Sequence, residues 1–246
     1  MRYKLEMSYD GTNYCGFQSQ INGLSVQDVL EKAIRRIFQE EIRVIMASRT
    51  DSGVHALKQV VHFDSAKEID SYSLKGSINA LLPKDVHINN VEIVSEDFHA
   101  RFSSHHKTYV YIINIGEYNV FLKNKAYQCF YDLNVELMRE ASKLYIGKRD
   151  FGSFNTSSYE EYPNQVREIL SFDIDRKDDL LIIKVVGTGF LKNMVRIMVG
   201  TLVDLGRGKK TLEEFKEMLE KPSKDKRRNN IDPCGLYLVD IDYTCK

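Results

Sequence analysis

The chain has no tryptophan, four prolines and four cysteines in 246 residues, and no net charge, with 35 Lys and Arg against 35 Asp and Glu. Cys15, Cys129, Cys234 and Cys245 are scattered without CxxC spacing, and the six histidines, including the pair His105–His106, form no ligand pattern. That argues against a disulfide framework and a zinc site, so the expectation is reduced thiols, no metal and no cofactor. No apolar run approaches the roughly 20 residues of a membrane span. The opening MRYKLEMSYD alternates polar and apolar residues instead of building a signal-peptide core. A cytoplasmic protein with no membrane attachment is expected. With 14 glycines and 43% hydrophobic residues, the composition is not that of a disordered or collagen-like chain.

Balanced charge excludes a uniformly positive coat but not a local basic face. Residues 187–230 hold eleven basic against six acidic side chains and end in KPSKDKRRNN, which includes Lys224, Lys226, Arg227 and Arg228. A solvated helix face and loop explain that excess as readily as a partner does.

Hydrophobic periodicity divides the chain into two similar halves. Tyr3, Leu5, Met7 and Tyr9 alternate, which predicts a half-buried strand. Ser25 then caps a predicted amphipathic helix with apolar positions 26, 29, 30, 33, 34, 37 and 38. Strands are expected at 42–47 and 57–64, a helix at 71–82 stopped by Pro83, and a strand at 86–94. This β-α-β-β-α-β order is the split βαβ of ferredoxin-like domains, in which the loops 10–24 and 47–56 leave the same sheet edge. The order recurs after residue 105: a strand at 108–115, a helix at 134–147, a hairpin at 166–175 and 180–187, helices at 190–206 and 211–221, and a last strand at 235–243. The fold class expected is α+β, with two ferredoxin-like subdomains, 1–104 and 105–246, sharing one extended sheet around a central catalytic cleft.

Three clusters carry unusual polar residues. Ser48-Arg49-Thr50-Asp51-Ser52-Gly53-Val54-His55 sets an arginine beside a carboxylate in a segment that is also ordinary turn chemistry. Asp97-Phe98-His99-Ala100-Arg101-Phe102-Ser103 is followed by Tyr109 and Tyr111, which alternate onto one strand face and are equally readable as buried core. In GFLKNMVRIMVG, Lys192, Arg196 and Gly200 fall four apart on an apolar helix. Pattern alone exposes Arg196 to solvent; turned inward, it would need a carboxylate partner.

Together these segments, with Tyr9-Asp10-Gly11-Thr12-Asn13-Tyr14-Cys15-Gly16-Phe17-Gln18 and Met194-Val195-Arg196, resemble the tRNA pseudouridine synthase A (TruA) family, in order from Tyr3 to Tyr243. RTDSGVHA, residues 49–56, is the most specific element. The resemblance implies an isomerase that turns uridine into pseudouridine in the anticodon stem-loop of tRNA, without a cofactor. It also implies a homodimer in which one tRNA touches both subunits. Residue by residue, Asp51 matches the catalytic aspartate and Arg49 the arginine that supports the uridine outside its stack. Tyr109 matches the tyrosine packed against the target base, and Arg196 the arginine that pairs with the aspartate. Phe17 stands where the family often has Trp, Ser48 where Gly is usual, and Lys107-Thr108 where a basic pair is usual. Two alternatives are the same chemistry on ribosomal RNA by a diverged paralogue, and a noncatalytic tandem RNA-binding module. The predicted strand LKQVVHFD lacks the stacking aromatics of an RNP1 segment, which counts against the latter.

Overall fold

A computed structural model describes residues 1–225 and 228–244; Lys226 and Arg227 of the basic segment, and Cys245, lie outside the described residues. The chain forms two compact units, Met1–His105 with Tyr237–Lys246, and His106–Leu236. The split after residue 105 is one residue from the boundary expected at 104/105. The chain's end, expected in the second half, is grouped with the first unit.

The first unit contains β1 (Arg2–Tyr9), α1 (Val26–Phe38), β2 (Ile45–Met46), β3 (His55–Asp64), α2 (Ser71–Leu81) and β4 (Val86–Val94). The second contains β5 (His106–Asn114), β6 (Tyr127–Gln128), α3 (Val135–Ser142), β7 (Gly147–Asp150), β8 (Val166–Lys177), β9 (Leu180–Gly187), α4 (Met194–Gly206) and α5 (Leu212–Glu220). The closing strand β10 (Leu236–Asp242) lies in the first unit in all but its first residue. The architecture is mixed α+β.

In the first unit β1 is central, antiparallel to β3 on one side and β4 on the other. Its alternating residues bury Tyr3, Leu5, Met7 and Tyr9, as the period-two pattern requires. Helix α1 begins at a capping box: Ser25 Oγ accepts from Asp28 N, and Asp28 Oδ2 accepts from Ser25 N. Asp70 caps α2. The helix ends with Leu82 as its C-cap, just before Pro83, because an α conformation at residue 82 would clash with the proline ring. Tyr3, Phe38 and Phe63 form the aromatic centre of the core, with ring centroids 5.1–5.7 Å apart.

The strand expected at 42–47 shrinks to Ile45–Met46, paired only with Val61 and His62 of β3. Farther along β3, His55 and Ala56 pair in parallel with Tyr237 and Leu238 of β10. A short β2 thus leaves edge groups of β3 that a segment 180 residues away satisfies.

In the second unit β5, β9, β8 and β7 run antiparallel in that order, and β6 pairs in parallel with β5. The β8–β9 hairpin turns where expected, with Asp178 in the left-handed region at φ 54°. Tyr145 anchors the core, with its ring centroid 5.1–5.2 Å from those of Phe154, Phe172 and Phe215. Its hydroxyl donates to the Met198 carbonyl, so the phenol is buried with its polar atom satisfied.

His62, buried on β3, accepts from Ala100 N at 3.1 Å through Nδ1. Burial, then the charges of Arg2 and His99, pulls its pKa down to about 4 from 6.5, with Asp64 opposing. Between those two values the unfolded chain binds a proton that the folded chain refuses, so stability declines as pH falls through this window and is intact above it. Unfolding midpoints at pH 7 and pH 4.5 test this. The wild type should lose more than His62→Gln, whose amide oxygen keeps an acceptor but does not titrate.

Candidate active site

The antiparallel register that sets Tyr9 against Ala56 brings the loop after β1 and the loop before β3 to one sheet edge, as the topology predicts. The two loops are then tied together atom by atom. Phe17 N donates to Thr50 O at 3.2 Å, Gly53 N to Tyr14 O at 3.3 Å, and Ser52 Oγ to Tyr14 O at 3.2 Å. Thr50 is buried, with its hydroxyl 2.8 Å from that of Tyr9. His55, also buried, sets Nδ1 3.1 Å from Gly11 N and 3.0 Å from Asp10 Oδ1. Its ring stacks on Tyr237 with centroids 4.6 Å apart.

Two glycines make this closeness possible. A Cβ on Gly11 would lie 2.0 Å from Val54 O, and one on Gly16 would lie 2.6 Å from Thr50 O. Gly16 also adopts φ +104°, where side chains are strained. Turn residues 49–54 are therefore held from one side by backbone that no larger residue matches. Within that turn Arg49 is exposed and Asp51 half-buried, and the Asp51 carbonyl accepts from Val54 N at 3.2 Å. Phe17, at the position where the family often has tryptophan, is fully buried and lies 5.9 Å from the Tyr9 ring. Gln18 is exposed.

The segment 97–103 has a local structural reason. Ala100 N is received by His62, Ala100 O by the Tyr243 hydroxyl at 2.6 Å, and Phe98 O by the Arg2 guanidinium at 2.8 Å. These bonds fasten the loop to β1, β3 and the chain's last residues. His62 was not singled out by sequence reasoning; its place in the buried run of β3 was the available signal.

In the second unit Tyr109 and Tyr111 are both buried on β5, on one face as their alternation predicts. Tyr109 meets Phe190 edge to face at 5.1 Å and 82°. The Tyr111 hydroxyl donates to Asp232 O at 2.6 Å, and burial drives its pKa far above the ordinary phenol value. Helix α4 begins at Met194 instead of 190, because Asn193 takes a left-handed conformation, φ 59°. Lys192 therefore precedes the helix and is not part of a stripe on it. Arg196, expected in solvent on pattern alone, is half-buried and donates Nε to Ile231 O at 2.8 Å. Gly200 has no room for a side chain, since its Cβ would meet Asn229 O at 2.1 Å. Arg196 and Tyr111 thus fix the chain at 231–232 from two sides.

The late basic segment is partly turned inward. Lys224 Nζ donates to Gly152 O at 2.7 Å, Gln165 Oε1 at 2.8 Å and Asn155 Oδ1 at 3.0 Å, and Arg228 also reaches Asn155 O. Burial, and then Arg228, lowers the Lys224 pKa. Lys209, Lys216 and Lys221 are exposed. The excess of cations in the sequence therefore overstates the charge this segment presents outward.

Comparison with known proteins agrees with the motifs. The sequence matches the family described as tRNA pseudouridine synthase over residues 7–103 and 141–244. A tRNA pseudouridine synthase A of Anoxybacillus flavithermus is 41% identical over 243 residues, 98% of each chain. One from Limosilactobacillus reuteri is 39% identical over 248 residues, 98% of this chain and 96% of its own. One from Pseudothermotoga lettingae is 40% identical over 244 residues, 98% of this chain and 99% of its own. Identity of this order, sustained end to end and joined to the RTDSGVHA turn, establishes that this chain belongs to the tRNA pseudouridine synthase A family.

Proposed function

We propose that this chain isomerises uridine to pseudouridine in the anticodon arm of tRNA, as a cytoplasmic homodimer, with Asp51 as the catalytic carboxylate. The reaction breaks the C1′–N1 bond of uridine, turns the freed uracil and joins C5 to C1′. Every atom is retained and no electrons are exchanged, so the balanced reaction calls for no redox cofactor. Its difficulties are access and control of the intermediate. A stacked base must be displaced at a cost of a few kcal/mol, and water must be kept from the cleaved sugar.

The proposed roles follow those needs. Arg49, exposed on the turn, supports the displaced uridine and its phosphate. Tyr109 packs on uracil; a phenol with a reference pKa of ~10 is a poor base at neutral pH, so orientation is its task. Arg196 stands at the position of the family's arginine that orients the catalytic carboxylate. Asp51 acts ionised in either route, by attack on C1′ or by removal of a ribose proton. The two units divide the roles in the same way, with Met1–His105 and Tyr237–Lys246 carrying the aspartate turn and His106–Leu236 carrying Tyr109, Arg196 and the basic segment.

The observation that carries the proposal is the turn 49–55, which is pinned to Phe17, Tyr14 and Gly11 around the family's aspartate position. The relatives' common name favours tRNA over ribosomal RNA. Mapping pseudouridine in all RNA of a deletion strain tests it. Loss confined to anticodon-arm sites of tRNA is expected, with restoration by the wild-type gene. A lost ribosomal site would redirect the substrate, and no lost site would favour a noncatalytic RNA-binding role.

A further inference from the structure

The first unit contains a cavity of about 530 Å³ formed by α1, the end of α2 and the loop after β1. Leu24, Val29 and Leu81 give it apolar walls, and the exposed Lys32 and Arg36 line it as well. These two cations are four apart on α1, so they share one helix face. Other basic residues nearby are matched with acids, Arg35 with Glu41 at 2.6 Å and Arg43 with Glu31 at 3.9 Å. Lys32 and Arg36 have no carboxylate partner among the described residues. The carboxylate in the lining, Asp85, is engaged by the Tyr14 hydroxyl at 2.6 Å and by Asn13 Nδ2 at 3.3 Å.

Two unmatched cations beside an apolar surface suit a group that is anionic at one end and presents a flat apolar face at the other, which describes a nucleotide. Tyr14 connects this cavity to the aspartate turn. It lines the cavity, while its carbonyl oxygen receives Gly53 N and Ser52 Oγ. A strand seated here is therefore held at a fixed offset from the turn.

We propose that the cavity is a subsite for one nucleotide of the bound tRNA other than the reacting uridine, with Lys32 and Arg36 on its phosphate and its base against Leu24, Val29 and Leu81. The subsite rests on tRNA being the substrate. Phosphate contacts of this kind position RNA without reading its sequence, and they make affinity depend on salt.

The test is binding of unmodified tRNA over a series of salt concentrations. Lys32→Ala with Arg36→Ala should raise Kd about tenfold and flatten the plot of log Kd against log salt by about 1–2 in slope. The charge-preserving pair Lys32→Arg with Arg36→Lys should stay within about twofold of wild type, which also controls for folding. Arg35→Ala, which removes a neighbouring charge already paired with Glu41, should do the same. An unaltered Kd and slope in the double alanine variant would overturn the subsite, as would an equal effect from Arg35→Ala. If wild-type protein neither binds tRNA nor makes pseudouridine, the substrate assignment fails and the subsite with it. Wild-type turnover beside an unaffected double alanine variant removes the subsite alone.

Discussion

Asp51→Asn is expected to lower pseudouridine formation by roughly 10⁴-fold or more while leaving the Kd for tRNA within about threefold of wild type. The two side chains have nearly the same size, so the change removes a negative charge and an unshared electron pair and little else. The turn that carries it is held by other atoms: Phe17 N on Thr50 O, Gly53 N on Tyr14 O, Val54 N on the backbone carbonyl of residue 51, and His55 on Gly11 N. None of these bonds uses the Asp51 carboxylate, so the backbone keeps its course. A carboxamide can neither attack C1′ nor remove a ribose proton, so both routes stop. Nucleoside analysis of tRNA after single-turnover incubation reads the rate, and filter binding reads the Kd. A rate within tenfold of wild type would remove Asp51 from the catalytic role. If Arg196 acts only by orienting this carboxylate, adding Arg196→Ala to Asp51→Asn should cost far less than Arg196→Ala costs alone.

The sequence was most legible where local rules coincide with tertiary need. Ser25 marks the start of α1, and the structure caps the helix there, with Asp28 completing a capping box. The alternation of Tyr3 to Tyr9 marks a strand because β1 buries one face only. Legibility failed where distant chain decides. The parallel pairing of β10 with β3 leaves no trace in either segment's pattern. Strand β7, Gly-Lys-Arg-Asp, carries no apolar alternation, and its place in the sheet is set by antiparallel pairing with β8. Helix α3 was expected to run to Gly147, but it ends at Ser142 and tightens into a 3₁₀ turn over Lys143–Tyr145 that delivers Tyr145 to its aromatic cluster. In the site, the resemblance of RTDSGVHA to the family motif identified the aspartate turn, and topology identified its partner loop. What holds them is a close approach of backbones and the placement of His55, which depend on tertiary distances that residue types do not encode.

That close approach is the basis of the second large effect. Gly11→Ala should cut kcat by about 100-fold and lower Tm by about 3–10 °C. The added Cβ would lie 2.0 Å from Val54 O and 2.6 Å from the Val54 carbonyl carbon, both backbone atoms, so no rotamer relieves the clash. Reaching an ordinary contact of 3.4 Å requires the two loops to part by about 1.4 Å. The parting strains the Gly11 N bond to His55 and the bonds of Gly53 and Ser52 to Tyr14 O, which together set the height of the turn. A catalytic carboxylate displaced by about 1 Å loses alignment with C1′, and misplacement on that scale costs on the order of 10² in rate. The fold as a whole survives, because the aromatic centre of the unit, Tyr3, Phe38 and Phe63, is built from residues outside these loops. The informative comparison is Gly76→Ala in α2, where a Cβ meets nothing within 4 Å. That substitution should leave kcat unchanged, since only its helix backbone gains order. Equal kcat in both variants would mean that the turn is positioned by something other than its approach to Gly11.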